Sequence, residues 1–152
     1  MHRVVASWFG TGLILGRLRG DPLGSGTVGA FFAFPIAWLV GQQWGWPGQL
    51  VAALIVTFAA LWSARPFIEE QGDAGWIVVD EAAGAFIAMI GLTFIPAVVA
   101  WLVFRAADIF KNAAPGVAEA ESLPGAVGVT ADDVVAGLYG LAVGHLLQAL
   151  LG

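Results

Sequence analysis

Cysteine is absent from this chain, and histidine nearly so, with only His2 and His145. The first absence removes disulfides and thiol chemistry and leaves the redox compartment unread. The second rules out a His-rich zinc site. Charge is also scarce: 11% of the 152 residues are charged, against 59% hydrophobic, and the net charge is -5. Such a chain has no basic surface to neutralise a phosphate backbone, so nucleic acid is not an expected partner. The glycine-rich stretch Leu23 to Gly29 lacks the lysine of a P-loop, so nucleotide binding has little support.

What is present is mostly apolar, with a mean hydropathy of +0.86, too high for an ordinary soluble domain. One domain is expected over 1–152. The start, from Val4 to Gly16, has the look of a leader but no small-residue cleavage site before Arg17 and Arg19. It reads as a retained short helix, buried, interfacial or re-entrant. A glycine-rich loop, Arg17 to Gly29, is expected next. Apolar runs from Val28 to Val40 and from Leu50 to Trp62 flank an uncharged loop with Trp44 and Trp46, residues suited to a membrane interface. With flanks, each run has about 17 to 20 residues, enough for a marginal crossing.

Residues 82–104 read as one long span or as a hairpin turning at Gly91 to Pro96. The hairpin, over 76–110, is preferred because Pro suits a first helical turn. It also returns Arg105, Asp108 and Lys111 to the face that holds Asp80 and Glu81. After a Gly/Pro/Ala-rich connection over 112–129, carrying Glu119 and Glu121 as solvated charges, a last helix is predicted to open at Thr130 as N-cap. The expectation is an all-α, compact helical membrane bundle with a short N-terminal helix or re-entrant segment and about five apolar helices. Its charged ends share one side. Arg17, Arg19, Arg65, Arg105 and Lys111 make that side cytoplasmic by the positive-inside rule.

Helical spacing puts Asp80, Gly84, Ala88 and Gly91 on one stripe and Asp133, Gly137, Gly140 and Gly144 on another. Small faces let membrane helices approach closely, so each leading acid should point into the bundle. Gly29, Ala33 and Ala37 form a weaker third stripe. Arg105 and Asp108 are spaced for an intrahelical ion pair. His145 reads as a helix-contact residue, and Glu69, Glu70 and Asp73 as a polar patch before the charged face.

Carboxylates gathered without His or Cys suit magnesium, or alternatively manganese, both of which bind phosphate oxygens. Arg105 and Lys111 can hold a phosphoryl group, the first as a fork and the second as a point charge. Ser25 and Thr27 add hydroxyl donors near a helix start. The residues alone thus point to metal-assisted phosphoryl chemistry at a membrane face.

Four short motifs in order resemble the bacterial phosphatidylglycerophosphatase A family over essentially the whole chain. They are Gly24-Ser25-Gly26-Thr27-Val28-Gly29-Ala30, Val79-Asp80-Glu81, Phe104-Arg105 with Asp108 and Lys111, and Ala126 to Gly137 with Gly128, Asp132, Asp133 and Ala136. The resemblance implies a magnesium-dependent enzyme that removes the terminal phosphate of phosphatidylglycerol phosphate, a membrane phospholipid, in the bacterial cytoplasmic membrane. It also implies an all-helical fold. On this reading Asp80, Glu81, Asp132 and Asp133, with Asp108 as a further ligand, hold one or two metal ions. Arg105 and Lys111 steady the phosphoryl charge. Water attack and an aspartyl-phosphate intermediate both remain open.

Val79 replaces the family's Trp, Ala30 replaces a Ser, and Asn112-Ala113-Ala114-Pro115 replaces Pro-Trp-Pro after the lysine. These departures keep two alternatives in view. One is a phosphatase of another lipid or polyprenyl phosphate. The other is an inactive membrane module whose small faces serve a partner or a homo-oligomer.

Overall fold

The computed structural model describes residues 1–71 and 74–152; Asp73, grouped above with Glu69 and Glu70, lies outside them. The described chain is helical, without a strand: α1 (His2–Ala6), α2 (Ile14–Arg19), α3 (Ser25–Gln71), α4 (Val79–Ala88), α5 (Phe94–Ile109), α6 (Val117–Glu121) and α7 (Ala126–Leu151).

The N-terminal segment does not form one helix. Trp8 and Phe9 adopt positive φ values of 45° and 57°, and α1 and α2 on either side have five and six residues. Neither is long enough to cross a membrane. Ala6 accepts a hydrogen bond from the Val78 amide, and the Trp8 ring meets Phe86 edge-on, so this segment packs along α4 and the residue before it.

Helix α3 reverses direction at Gly45, whose φ of 62° and ψ of -167° lie outside the helical region and suit a residue without a side chain. The Gln49 amide donates to the Ala37 carbonyl at 3.3 Å. Twelve residues of straight helix would separate those groups by about 18 Å. The expected nine-residue loop is therefore a turn centred on one glycine. Its two legs, 25–44 and 46–71, expose Phe31, Phe58 and other large apolar residues. Helices Ser25–Glu70 and Ala126–Leu151 are long and apolar enough to cross a membrane.

The chain turns again at Gly91, between α4 and α5. Gln49 Oε1 accepts from the Gly91 amide, Gln148 bridges the Gly91 carbonyl and the Thr93 amide, and His145 Nε2 lies 3.0 Å from the Ile90 carbonyl. This turn closes the end of the bundle opposite the acids.

Three predicted boundaries move. Helix α4 starts at Val79, three residues after the start of the predicted 76–110 hairpin, and α3 starts at Ser25, inside the predicted loop. Helix α7 starts at Ala126 behind Gly125, so Thr130 is not its cap but a buried residue one turn in. The 112–129 connection also contains the short α6.

The small stripes are where helices meet. A methyl group on Gly137 would lie 2.7 Å from the Gly84 carbonyl oxygen, and one on Gly140 would run into the Ala100 carbonyl. Ala33 and Ala37 are fully buried, so the weaker third stripe is a packing face too. Gly91, assigned to the α4 stripe, lies beyond the helix in the turn.

Candidate active site

Three helices bring the acids together. Asp80 and Glu81 open α4, Asp108 closes α5, and Asp132 and Asp133 lie in the second turn of α7. One oxygen each of Asp80, Glu81 and Asp133 lie within 4.8 Å of one another, and so do one each of Asp108, Asp132 and Asp133. Asp133 belongs to both groups. Octahedral magnesium, with ligands at about 2.1 Å, places its oxygens about 3 to 4 Å apart, so each group has the span for one ion.

Burial makes the arrangement costly without positive charge. Asp80, Asp132 and Asp133 are 3–4% exposed. Glu81 Oε2 and Asp133 Oδ1 are buried and accept no hydrogen bond from a described residue. Five carboxylates gather around two cations, Arg105 and Lys111. Buried charges of one sign need compensation by ions or protons. The all-oxygen donor set fits magnesium or manganese.

Arg105 faces this cluster from α5. Its Nη1 lies 2.8 Å from Asp108 Oδ2, the expected i,i+3 pair, though no N–H points well enough at that oxygen for a directed hydrogen bond. Its Nη2 donates to Thr27 Oγ1 at 3.3 Å, and its buried Nε has no acceptor among the described residues. The guanidinium therefore keeps donors available. Ser25 is 1% exposed, and its hydroxyl has no partner among the described residues.

Ser25, Gly26, Thr27, Glu81, Arg105 and Ile109 line a cleft of about 500 Å³ whose outer wall is the Asp21–Gly24 loop. Gly26 seats Glu81 directly, because a methyl group there would overlap Glu81 Oε1.

Lys111 sits elsewhere. Its Nζ donates to Asp132 Oδ2 and to Glu121 Oε1, both at 2.6 Å, and it lines a neighbouring depression with Glu121 and Phe110. Partial burial alone would lower its pKa, but the bonds to Asp132 and Glu121 outweigh this and hold it above the ordinary lysine value. The structure thus brings Ser25, Thr27, Glu81 and Arg105 to one cleft and sets Lys111 against Asp132, outside it.

Glu121 is a site-end ion-pair partner and not a free loop charge. Glu119 accepts from the Gly116 amide at 2.9 Å. The Lys111–Glu121 pair has no sequence signal, since its separation matches no helical repeat, whereas Glu119 stands three residues after Gly116, the spacing of a capping-box acid. Glu69 pairs with exposed Arg65 and joins neither carboxylate group.

Comparison with known proteins gives these positions a setting. A Bacteroides thetaiotaomicron protein carrying the provisional name phosphatidylinositol-3-phosphatase is 32% identical, the match covering 90% of this chain and 86% of that one. No solved structure matches the chain. The phosphatidylglycerophosphatase A family matches residues 4–148, nearly the whole length and all the acids described above. The chain belongs to the phosphatidylglycerophosphatase A family.

Proposed function

We propose that the protein is a magnesium-dependent phosphatase that hydrolyses phosphatidylglycerol phosphate to phosphatidylglycerol and inorganic phosphate. The observation that carries the reading is the pair of carboxylate groups sharing Asp133, beside a cleft where Arg105 keeps unpaired donors. Membership of the family supports phosphatase chemistry on a phospholipid.

Asp80, Glu81 and Asp133 would hold one magnesium ion, and Asp108, Asp132 and Asp133 a second. When bound, magnesium supplies positive charge beside the phosphoryl group and makes a water easier to deprotonate. Arg105 Nε and Nη2, with the Ser25 and Thr27 hydroxyls, bind the phosphoryl oxygens and offset charge that grows during transfer. A P–O bond to water forms, the P–O bond to the lipid glycerol breaks, and a proton passes from the water to the departing oxygen. Glu81 both lines the cleft and belongs to a metal-holding group, which supports its carboxylate as the carrier of that proton. Lys111 holds Asp132 in position from outside the cleft.

The exposed apolar legs of α3, with α7, support the reading of a multi-pass protein of the bacterial cytoplasmic membrane, and the positive-inside rule supports a cytoplasmic position for its acid-bearing end.

The name of the Bacteroides relative favours a second reading, with phosphatidylinositol 3-phosphate as substrate. Purified protein is assayed for phosphate release from short-chain forms of both lipids, with magnesium and with excess chelator. Release from phosphatidylglycerol phosphate alone, abolished by chelator, is the expected result. Preference for the inositol lipid would move the assignment to the second reading. A folded protein inactive on both, or one indifferent to chelator, would overturn the proposal.

A further inference from the structure

Arg3 and Arg17 have no part in the proposed reaction. Arg3 of α1 and Arg17 of α2, both exposed, line a second cleft of about 250 Å³ with Gly12, Gly16 and Trp76. Pro22 is a wall of this cleft and also of the cleft that holds Glu81 and Arg105, so the two lie side by side. The Arg3 guanidinium carbon lies 5.5 Å from the centre of the Trp76 ring, which Phe67 braces edge-on at 4.9 Å. Neither arginine makes an ion pair among the described residues. In a chain of net charge -5, two guanidinium groups at one cleft, with no ion pair among the described residues, favour an anion locally.

We propose that the Arg3–Arg17 cleft binds a second phosphate of the lipid, the phosphodiester that links the head group to diacylglycerol. The main cleft meanwhile holds the phosphomonoester to be cleaved. This inference rests on the phosphatase reading above. Both lipids considered there carry a monoester and a diester joined through a polyol, so adjacent clefts match their chemistry. Phosphatidic acid, with a monoester alone, has nothing to place in the second cleft. Leu18 and Leu23, exposed at 77% and 72%, flank the same region, with Leu23 on the wall of the main cleft. They offer apolar surface where the acyl chains must leave the diester. The arginine cleft would thereby select lipids with two phosphates over those with one.

The test uses full-length Arg17→Gln, Arg3→Gln and the double variant with dihexanoyl lipids kept below aggregation. For phosphatidylglycerol phosphate, KM should rise about tenfold in Arg17→Gln, and further in the double variant. The value of kcat should hold, because the diester contact is the same before and during phosphoryl transfer. Kinetics on dihexanoyl phosphatidic acid should not change. Equal losses on both lipids would mean that the arginines act by general attraction and would overturn the subsite; so would no change on either. Binding of dihexanoyl phosphatidylglycerol, which carries the diester alone, is measured by calorimetry and needs no turnover. A roughly tenfold weaker affinity in Arg17→Gln supports the subsite even if the phosphatase reading fails. Unchanged affinity, or no binding to the parent protein, overturns it even if that reading stands.

Discussion

Gly84 rests on the main chain of Asp133: a methyl group at Gly84 would lie 2.8 Å from the Asp133 carbonyl oxygen and would overlap the Phe104 ring. That contact fixes how closely α4 approaches α7, one helical turn from Asp80. It ties the packing of two helices to the spacing of the carboxylates at their ends. Gly84→Ala should lower stability by about 1–3 kcal/mol, the usual cost of overpacking. It should reduce turnover at least about tenfold, because small misplacements of catalytic groups are costly. Thermal unfolding in detergent and phosphate release measure the two effects. A variant with the parent's stability and rate would show that the close contact does not position the acids.

Asp133 is the carboxylate common to both groups, so its loss should be the most damaging. Asp133→Asn and Asp80→Asn should each lower turnover at least about 100-fold, comparable with loss of a major electrostatic group. Asp133→Asn should also raise the magnesium concentration needed for half-maximal rate more than Asp80→Asn does. Glu119→Gln should leave the rate nearly unchanged, as Glu119 serves only the start of α6. Variants at Asp80 and Asp133 that kept the parent's rate and magnesium dependence would move the centre elsewhere.

Arg105 sets separate nitrogens against Asp108 and Thr27 and has a third, Nε, with no acceptor among the described residues. Lysine has a single nitrogen and cannot replace three that are spread over a planar fork. Arg105→Lys should therefore cost about 100-fold in kcat/KM, whereas Thr27→Val, which removes one hydroxyl, should cost only severalfold. Steady-state kinetics on the short-chain lipid compares them. Equal rates for Arg105→Lys and the parent would reduce Arg105 to a structural counter-charge.

The parts of this site legible in the sequence are those where a period and a chemical type coincide. Asp80 leads Gly84, and Asp133 leads Gly137 and Gly140, at helical spacing, and those glycines are where α4, α5 and α7 meet. The Arg105–Asp108 pair follows from i,i+3 geometry on one helix. Helix starts were less legible because tertiary contacts set them. Ser25 and Gly26 belong to a helix, although their composition suggests a loop, because Gly26 must lie flat against Glu81. Thr130 has the chemistry of a cap, yet the helix begins four residues earlier behind Gly125. The Lys111–Glu121 contact joins segments with no shared period, so nothing local announces it.

The acid end and the Gly45–Gly91 end lie at opposite ends of the helices, which makes sidedness testable. In right-side-out membrane preparations, single cysteines at Gln42 and Gly152 should react with an impermeant maleimide. Those at Arg65 and Ser122 should react only after permeabilisation. Agreement between Arg65 and Ser122 is the critical result, because α3 and the α6 region must both end on the side of the acids. Opposite labelling of these two would be incompatible with the acids sharing one face.

Gln49 separates folding from chemistry. It is 3% exposed and joins the two turns of the far end, donating to the Ala37 carbonyl and accepting from the Gly91 amide. Gln49→Leu would keep much of the volume but leave both backbone groups without their partner. An unsatisfied buried group costs about 1–3 kcal/mol, so the variant should unfold at a clearly lower temperature in detergent. Gln49 lines a far-end hollow with Gly41, Gly91 and Thr93 and not the cleft of Glu81 and Arg105, so kcat and magnesium dependence, measured well below that transition, should match the parent within about twofold. Gln49→Glu should be worse, because it also puts a charge in a buried site. If Gln49→Leu instead kept its stability and lost activity, the far turn would have to be coupled to the site through α4, and the two ends of the bundle could no longer be treated as independent.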